Sequence, residues 1–502
     1  ELRLVRDGVP MRLWVVAVIG FWERAAFWGL TAPWQNYMQH CPFSGPEHPS
    51  GALCLGQATA TRAYCAFYIF YYISPLLVAV VSDTFLGRYK TLCISVFLFN
   101  CGCAALTITS LPRYIFEGWG VLGLILAMGL IGLGGGGFRA VMVPFIADQY
   151  VESPPTLKTL KSGEQVVTNR ALTLQYIYNL FYWVGNLGSL SWFATVFIEN
   201  RYGFTLAYLI TWVFMFIAMM MLFAGGKWYV KIPLEGNVLP KATKIMLCAS
   251  KHRFKMERAE PAYQLEHYNR TVAWSSRLVN ELTRGLKACR VLLAFIVFYV
   301  CFDQMQNNLV SQAGQMKTYD IPNDMMPAMN QVACILLGPI IQEGLYPFLH
   351  RRKIYIQPIT RITIGFAFVS LSMLYATVVQ HFVYSARPCY EHAGECPAMG
   401  PQFRPNEINV WIQTPIYFLI AAGEIFAYVT GLEFAYDHSP KDMKAIIQAV
   451  NLLLAGIGSM FALALTPIAH NPYLIILYAC LTAAMTVTTI AFWLIFRKYD
   501  QT

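Results

Sequence analysis

Charge is what this chain is short of. Asp, Glu, Lys and Arg make up 13% of its 502 residues, about half the share of an ordinary soluble domain. That shortage excludes a string of water-soluble domains, and 57% hydrophobic residues with a mean hydropathy of +0.46 point to a membrane protein. Acidic residues are the scarcer sign, 27 against 37 basic ones. The net charge of +10 invites a nucleic-acid reading. The basic residues, however, sit in short loops between apolar runs, so no nucleic-acid partner is expected. The nine histidines mostly lie in loops or near the ends of apolar runs, without ligand-like spacing. Neither a metal centre nor a nucleophile–base pair is legible, which argues against an enzyme. No cleavable signal peptide is visible either, because the first apolar run begins near Leu13 and is of full spanning length.

Long apolar runs are abundant. A hydrocarbon core needs about 20 apolar residues per helical crossing. Twelve stretches qualify, at approximately 13–38, 60–82, 90–111, 118–148, 171–198, 204–224, 290–315, 325–349, 356–383, 409–437, 444–468 and 473–496. Backbone polar groups in lipid must be satisfied within the segment, so each run is a helix and the fold class is an all-α membrane protein. The runs form two sets of six: an amino-terminal bundle over 1–224 and a carboxy-terminal bundle over 290–502, joined by a basic linker at 225–289. Within the linker, Ala273–Arg290 is amphipathic, with Trp274, Leu278, Leu282 and Leu286 on one face. Two six-helix halves with a long linker match the major facilitator architecture, whose substrate site lies midway between the halves. Asp83-Thr-Phe-Leu-Gly87-Arg88 fits the short loop motif of that superfamily, in which Gly allows a tight turn and the charges tether helix ends.

Sidedness follows from the loops. About thirteen Lys and Arg fall between Lys227 and Arg290, with smaller clusters at Arg88/Lys90, His350-Arg351-Arg352-Lys353, Lys441/Lys444 and Arg497/Lys498. Under the positive-inside rule these loops, and with twelve spans both termini, are cytoplasmic. A plain anion-binding surface is the competing reading of the linker. Of thirteen cysteines most lie within spans and read as inert small hydrophobes. Cys41, Cys54, Cys389 and Cys396 instead lie in loops expected to face outside, where Cys41–Cys54 and Cys389–Cys396 disulfides would persist.

Ionisable and amide side chains inside the runs are few, and each is a candidate site. In span one, Gly20, Glu23, Arg24, Phe27 and Thr31 share a helical face. Glu23 and Arg24 are neighbours in sequence, so each is expected to find its main partner on another helix. They serve either as a structural ion pair or as cavity-facing coupling or binding groups. Arg139 in span four follows the Gly132–Gly137 run, whose glycines permit close helix approach. Its planar guanidinium suits a carboxylate. Asn186 and Asn330, one in each half, either bond between helices or contact a ligand. Glu424 lies well inside span ten, with Tyr428 one turn later; a lone carboxylate there needs a counter-charge or a proton. Tyr68, Tyr71 and Tyr72 in span two offer aromatic and hydroxyl surface, or form a packing stripe.

Five separated segments resemble the proton-coupled oligopeptide transporter family, and specifically its fungal peptide-permease branch. They are Glu23-Arg24-Ala-Ala-Phe-Trp-Gly-Leu-Thr-Ala-Pro-Trp-Gln-Asn-Tyr-Met, Pro144-Phe-Ile-Ala-Asp-Gln-Tyr150, Phe181-Tyr-Trp-Val-Gly-Asn-Leu-Gly-Ser189, Asp303-Gln-Met-Gln-Asn-Asn-Leu-Val-Ser-Gln-Ala-Gly-Gln-Met316 and Glu424-Ile-Phe-Ala-Tyr-Val-Thr-Gly-Leu-Glu-Phe-Ala-Tyr436. They occur in the family's order over nearly the whole chain. The resemblance implies a monomeric secondary transporter in the plasma membrane. It would move di- and tripeptides or peptide-like metabolites by alternating access, with protons as coupling ion and no other cofactor. The resemblance further implies that the span-four base, here Arg139, meets the substrate carboxylate, that Asn186 and Asn330 contact the peptide backbone, and that Glu424 receives the peptide ammonium. Asp303 would join a proton-sensitive bridge at the outer gate, and Tyr72 matches the family's pocket tyrosine. Phe27, Trp28, Thr31 and Tyr428 complete the expected lining, with Glu23 and Arg24 in coupling or gating.

This sequence also departs from that pattern. Gly20 stands where the family has Glu, and Arg139 where it has Lys; an arginine cannot deprotonate usefully. Phe27 and Trp28 replace tyrosines, and Val141 replaces an Asn. The pocket should be more apolar, and the usual coupling cycle is in question. Coupling through Glu23, Asp303 or Glu424 fits. So do an uncoupled facilitator or exporter and carriage of a bulkier, more apolar metabolite. A ligand-sensing receptor is the reading outside transport.

Overall fold

The computed structural model describes residues 3–5, 7–42, 50–150, 157–159, 165–168, 170–231, 238–251, 255–319, 321–353, 356–392, 405–437 and 444–500. Each of the twelve apolar runs is helical. Ten helices among the described residues have the length and hydropathy of a membrane crossing. The other two runs are interrupted. Span five is built from Arg170–Ser189 and Ser191–Tyr202. Span eight runs from Ala328–Pro339 through a π turn at Ile340–Leu345 into Tyr346–Arg351. Pro339 brings no N–H to the helical ladder, and the wider turn follows directly from it.

Span seven is also broken, although its sequence holds no proline. The α-helix Phe295–Asp303 gives way to a 3-10 turn at Gln304–Gln306 and resumes at Asn308–Gly314. Asn307 leaves helical geometry at φ −129°, ψ −83°, and its side chain accepts the Asn308 N–H. A side-chain acceptor so close offers the backbone an alternative to the regular ladder.

Two compact units make up the chain. One comprises Glu1–Tyr37, Ser50–Cys54 and Ser74–Glu235; the other comprises Met38–Pro49, Leu55–Ile73 and Gly236–Thr502. The first half of span two therefore groups with the later spans. In the first unit, spans three and four come close enough that a Cβ on Gly134 would lie 2.5 Å from the Ser95 carbonyl oxygen and 2.6 Å from the Phe99 nitrogen. The Asn100 amide crosses to the Met215 carbonyl at 3.0 Å, linking spans three and six. At the loop motif, Gly87 has φ +78°. Arg88 reaches both carboxylate oxygens of Asp148, at 2.6 and 2.7 Å, tying the start of span three to the end of span four. Asp83 lies in the π turn Ser82–Leu86, and its side chain is outside the described residues. A small sheet accompanies the helices: Arg3–Val5 pairs in parallel with Gln165–Thr168, which pairs antiparallel with Leu157–Thr159.

In the second unit the linker folds on itself. Helix Val238–Lys251 supplies Ala242, Ile245 and Ala249 to a cluster with Ala259, Val279 and Leu282. Trp274, Leu278 and Leu286 pack against that cluster, as does Val450 of span eleven. The stripe legible in the sequence is therefore covered by a second amphipathic helix. Cys41, Cys54 and Cys389 are disulfide-bonded, and Cys396 lies outside the described residues.

The span-three contact makes a sharp expectation. Gly134→Val forces a side chain into backbone and should destabilise the protein by about 1–3 kcal/mol or more. Gly129→Ala, where nothing lies within 4 Å, should leave the thermal midpoint of the detergent-purified protein unchanged.

Candidate functional site

Glu23 is fully buried, and Arg24 grips it: Nε lies 2.7 Å from Oε2 and Nη2 3.0 Å from Oε1. The expectation that each would find its main partner on another helix is corrected. The long arginine stem lets the guanidinium fold back onto its sequence neighbour, giving a two-point ion pair. Arg139 from span four also acts electrostatically on Glu23, so one carboxylate answers to two guanidinium groups. The Arg24 guanidinium sits 5.5 Å from the Phe27 ring centre, within reach of a cation–π attraction.

The aromatic replacements in span one are largely inward. Phe27 is buried, edge-on to Trp28 at 5.4 Å and to Phe99 at 6.4 Å. Trp28, half-buried, lies 5.9 Å from Trp192. The Thr31 hydroxyl donates to the Phe27 carbonyl at 2.9 Å, bonding its own helix.

Where the family has a glutamate, a Cβ on Gly20 would meet the Phe181 ring at 2.4 Å. An aromatic from span five thus occupies the room that a carboxylate would take. Span five stays close below this point: a Cβ on Gly185 would lie 3.5 Å from the Arg24 side chain, and one on Gly188 2.5 Å from the Phe21 carbonyl. Asn186, half-buried, lies between those two glycines.

Glu424 has different surroundings in the second unit. It is half-buried and opens the π turn Glu424–Val429 in span ten; single π turns inside helices are frequent at functional positions. The backbone there is pinned. A Cβ on Gly423 would meet Val369 at 2.4 Å and the Gly365 carbonyl at 2.9 Å, so spans nine and ten cross in close contact beside the carboxylate. Two neutral donors approach Glu424 Oε2: the Asn330 side-chain nitrogen at 3.5 Å and the Cys334 sulfur at 3.7 Å. Among the described residues no ion pair involves Glu424, and the amide oxygen of buried Asn330 has no hydrogen-bond partner.

Tyrosines line up near this site. Tyr428 and Tyr72 each lie 6.4 Å from Tyr299, whose hydroxyl donates to Asn451 at 2.9 Å. Asp303 accepts from the Ser459 hydroxyl at 2.6 Å. Among the described residues no ion pair involves it. Sequence reasoning missed the amides just beyond it. Tyr64 and Tyr68 both donate to Gln306, at 2.5 and 2.7 Å, and Thr61 donates to Asn308 at 3.3 Å. The available signal was the density of Gln and Asn in an otherwise apolar run. Cys334 was also missed, its thiol having been counted among the inert cysteines.

The sequence model of the POT family matches residues 89–492. Peptide transporter PTR_C of Candidozyma auris is 38% identical over 500 residues, covering 100% of this chain and 86% of that protein. A peptide transporter of Saccharomyces cerevisiae is 36% identical over 501 residues, covering 100% of this chain and 81% of that protein. The crystal structure of the POT family transporter PepTSo matches with a TM-score of 0.76 and 21% identity, over 99% of each chain. At that identity the likeness speaks for the fold.

The Gly20–Phe181 contact is open to a rescue experiment. Gly20→Ala should lower stability by about 1–3 kcal/mol through overpacking. Phe181→Leu in the same chain should recover most of the thermal midpoint.

Proposed function

The chain belongs to the POT family of integral membrane transporters, and from that premise we propose that it carries short peptides across the bilayer by alternating access, in company with protons. The observation that carries this reading is Glu424, a carboxylate inside a span whose contacts among the described residues are two, both long and neutral. Such a group calls for a cation, and a peptide ammonium supplies one. Arg139 takes the peptide carboxylate, for which its fork geometry suits it. Asn186 and Asn330 bond the peptide amides, while Tyr72, Tyr428, Phe27 and Trp28 offer apolar and aromatic surface to the side chains. The directed bonds all go to groups every peptide shares, so side chains are free to vary. Alternating access then moves it.

Proton carriage falls to Asp303 and Glu424. Gly20 and Arg139 remove the carboxylate and the titratable base that the family uses in the first half, and Glu23 is tied by two points to Arg24. Arg88, Asp83 and Gly87 hold the ends of spans two, three and four through the cycle. The basic loops favour cytoplasmic termini, and a plasma-membrane monomer with no cofactor besides protons completes the reading.

Uptake of a labelled dipeptide into proteoliposomes should accelerate when an inward proton gradient is imposed; equal rates with and without the gradient would remove proton symport. Arg139→Gln should raise KM for peptides with a free carboxy terminus about tenfold, the equivalent of about 1.4 kcal/mol, while peptide amides stay near the parent value.

A further inference from the structure

Asn330 and Cys334 lie one turn apart on the same face of span eight, and both aim a donor at one atom, Oε2 of Glu424. At 3.5 and 3.7 Å these contacts are long, so neither neutralises the carboxylate. Two donors converging on one oxygen do something else: they set the rotation of the carboxylate group. Among the described residues nothing bonds the second oxygen, Oε1. The amide oxygen of Asn330, on a side chain 1% exposed, is likewise without a partner there. Two acceptors therefore stand ready at a position where both donors are already engaged elsewhere.

The backbone beneath Glu424 is fixed by the Gly365–Gly423 crossing, which leaves the side-chain torsions as the freedom that ligand binding must remove. Holding them in advance strengthens binding without adding a ligand contact. We propose that Cys334 is a positioning residue of this site: its thiol, with the Asn330 amide, anchors Glu424 Oε2 so that Oε1 and the Asn330 oxygen face an incoming primary ammonium. The inference rests on the reading that Glu424 receives the peptide ammonium. An apolar residue at 334 leaves the carboxylate free to rotate. A hydroxyl there keeps the donor.

The test uses the full-length protein in proteoliposomes, with a dipeptide and its N-acetylated form compared as inhibitors of labelled dipeptide uptake. Cys334→Ala and Cys334→Val should each raise KM for the free dipeptide about three- to tenfold with kcat near the parent value, the pattern of lost pre-organisation. Cys334→Ser should stay close to the parent, and inhibition by the acetylated peptide should be the same in all four proteins. Glu424→Gln should abolish the preference for a free amino terminus, and adding Cys334→Ala to it should change nothing further. If Glu424→Gln leaves that preference intact, the ammonium reading itself fails. If Glu424→Gln abolishes it but the Cys334 variants leave KM unmoved, or shift both peptides equally, Cys334 is packing and the inference is overturned.

Discussion

An ionisable side chain within a lipid-spanning helix needs a partner, and two in-span carboxylates, Glu23 and Glu424, meet that need in opposite ways. Glu23 is satisfied from within, by a two-point ion pair to Arg24 and the nearby charge of Arg139. Glu424 has an amide and a thiol, both at the limit of hydrogen bonding. Breaking a buried ion pair leaves an uncompensated charge and is strongly destabilising, so the first arrangement favours permanence. The second leaves the carboxylate without a counter-charge among the described residues.

Irregular turns accompany two of the in-span carboxylates, Glu424 and Asp303. Span ten widens into a π turn at Glu424, and span seven tightens into a 3-10 turn directly after Asp303. A break in the regular ladder re-aims side chains and frees backbone groups, and inside a membrane it survives only where protein surrounds it. The Gly365–Gly423 crossing provides that support beside Glu424. In span seven, the Asn307 cap and the contacts from Thr61, Tyr64 and Tyr68 to Asn308 and Gln306 do the same with polar groups.

Gly20, where the resemblance leads one to expect a carboxylate, leaves no empty space, because the Phe181 ring lies against it. Restoring the acid would require the aromatic to move. Phe181 and Gly20 together make this part of the first unit apolar, with Arg24 and Arg139 supplying its positive charge. The remaining in-span carboxylates with neutral partners, Asp303 and Glu424, belong to the second unit.

Much of this was legible in residues alone. Hydropathy marked twelve helices because lipid offers the backbone no other partner, and that constraint is local. The scarcity of charge within spans singled out Glu23, Arg24, Arg139, Asp303 and Glu424, since each is costly wherever its helix packs. What sequence could not decide was pairing. That Asp303 would meet Ser459, that Phe181 would lie over Gly20 and that an unremarkable Cys334 would touch Glu424 all depend on how helices distant in sequence rotate against one another. The linker's apolar stripe was evident, but only the folded chain supplied its cover, helix Val238–Lys251. Composition dictates that a buried charge must be answered; packing alone determines by what.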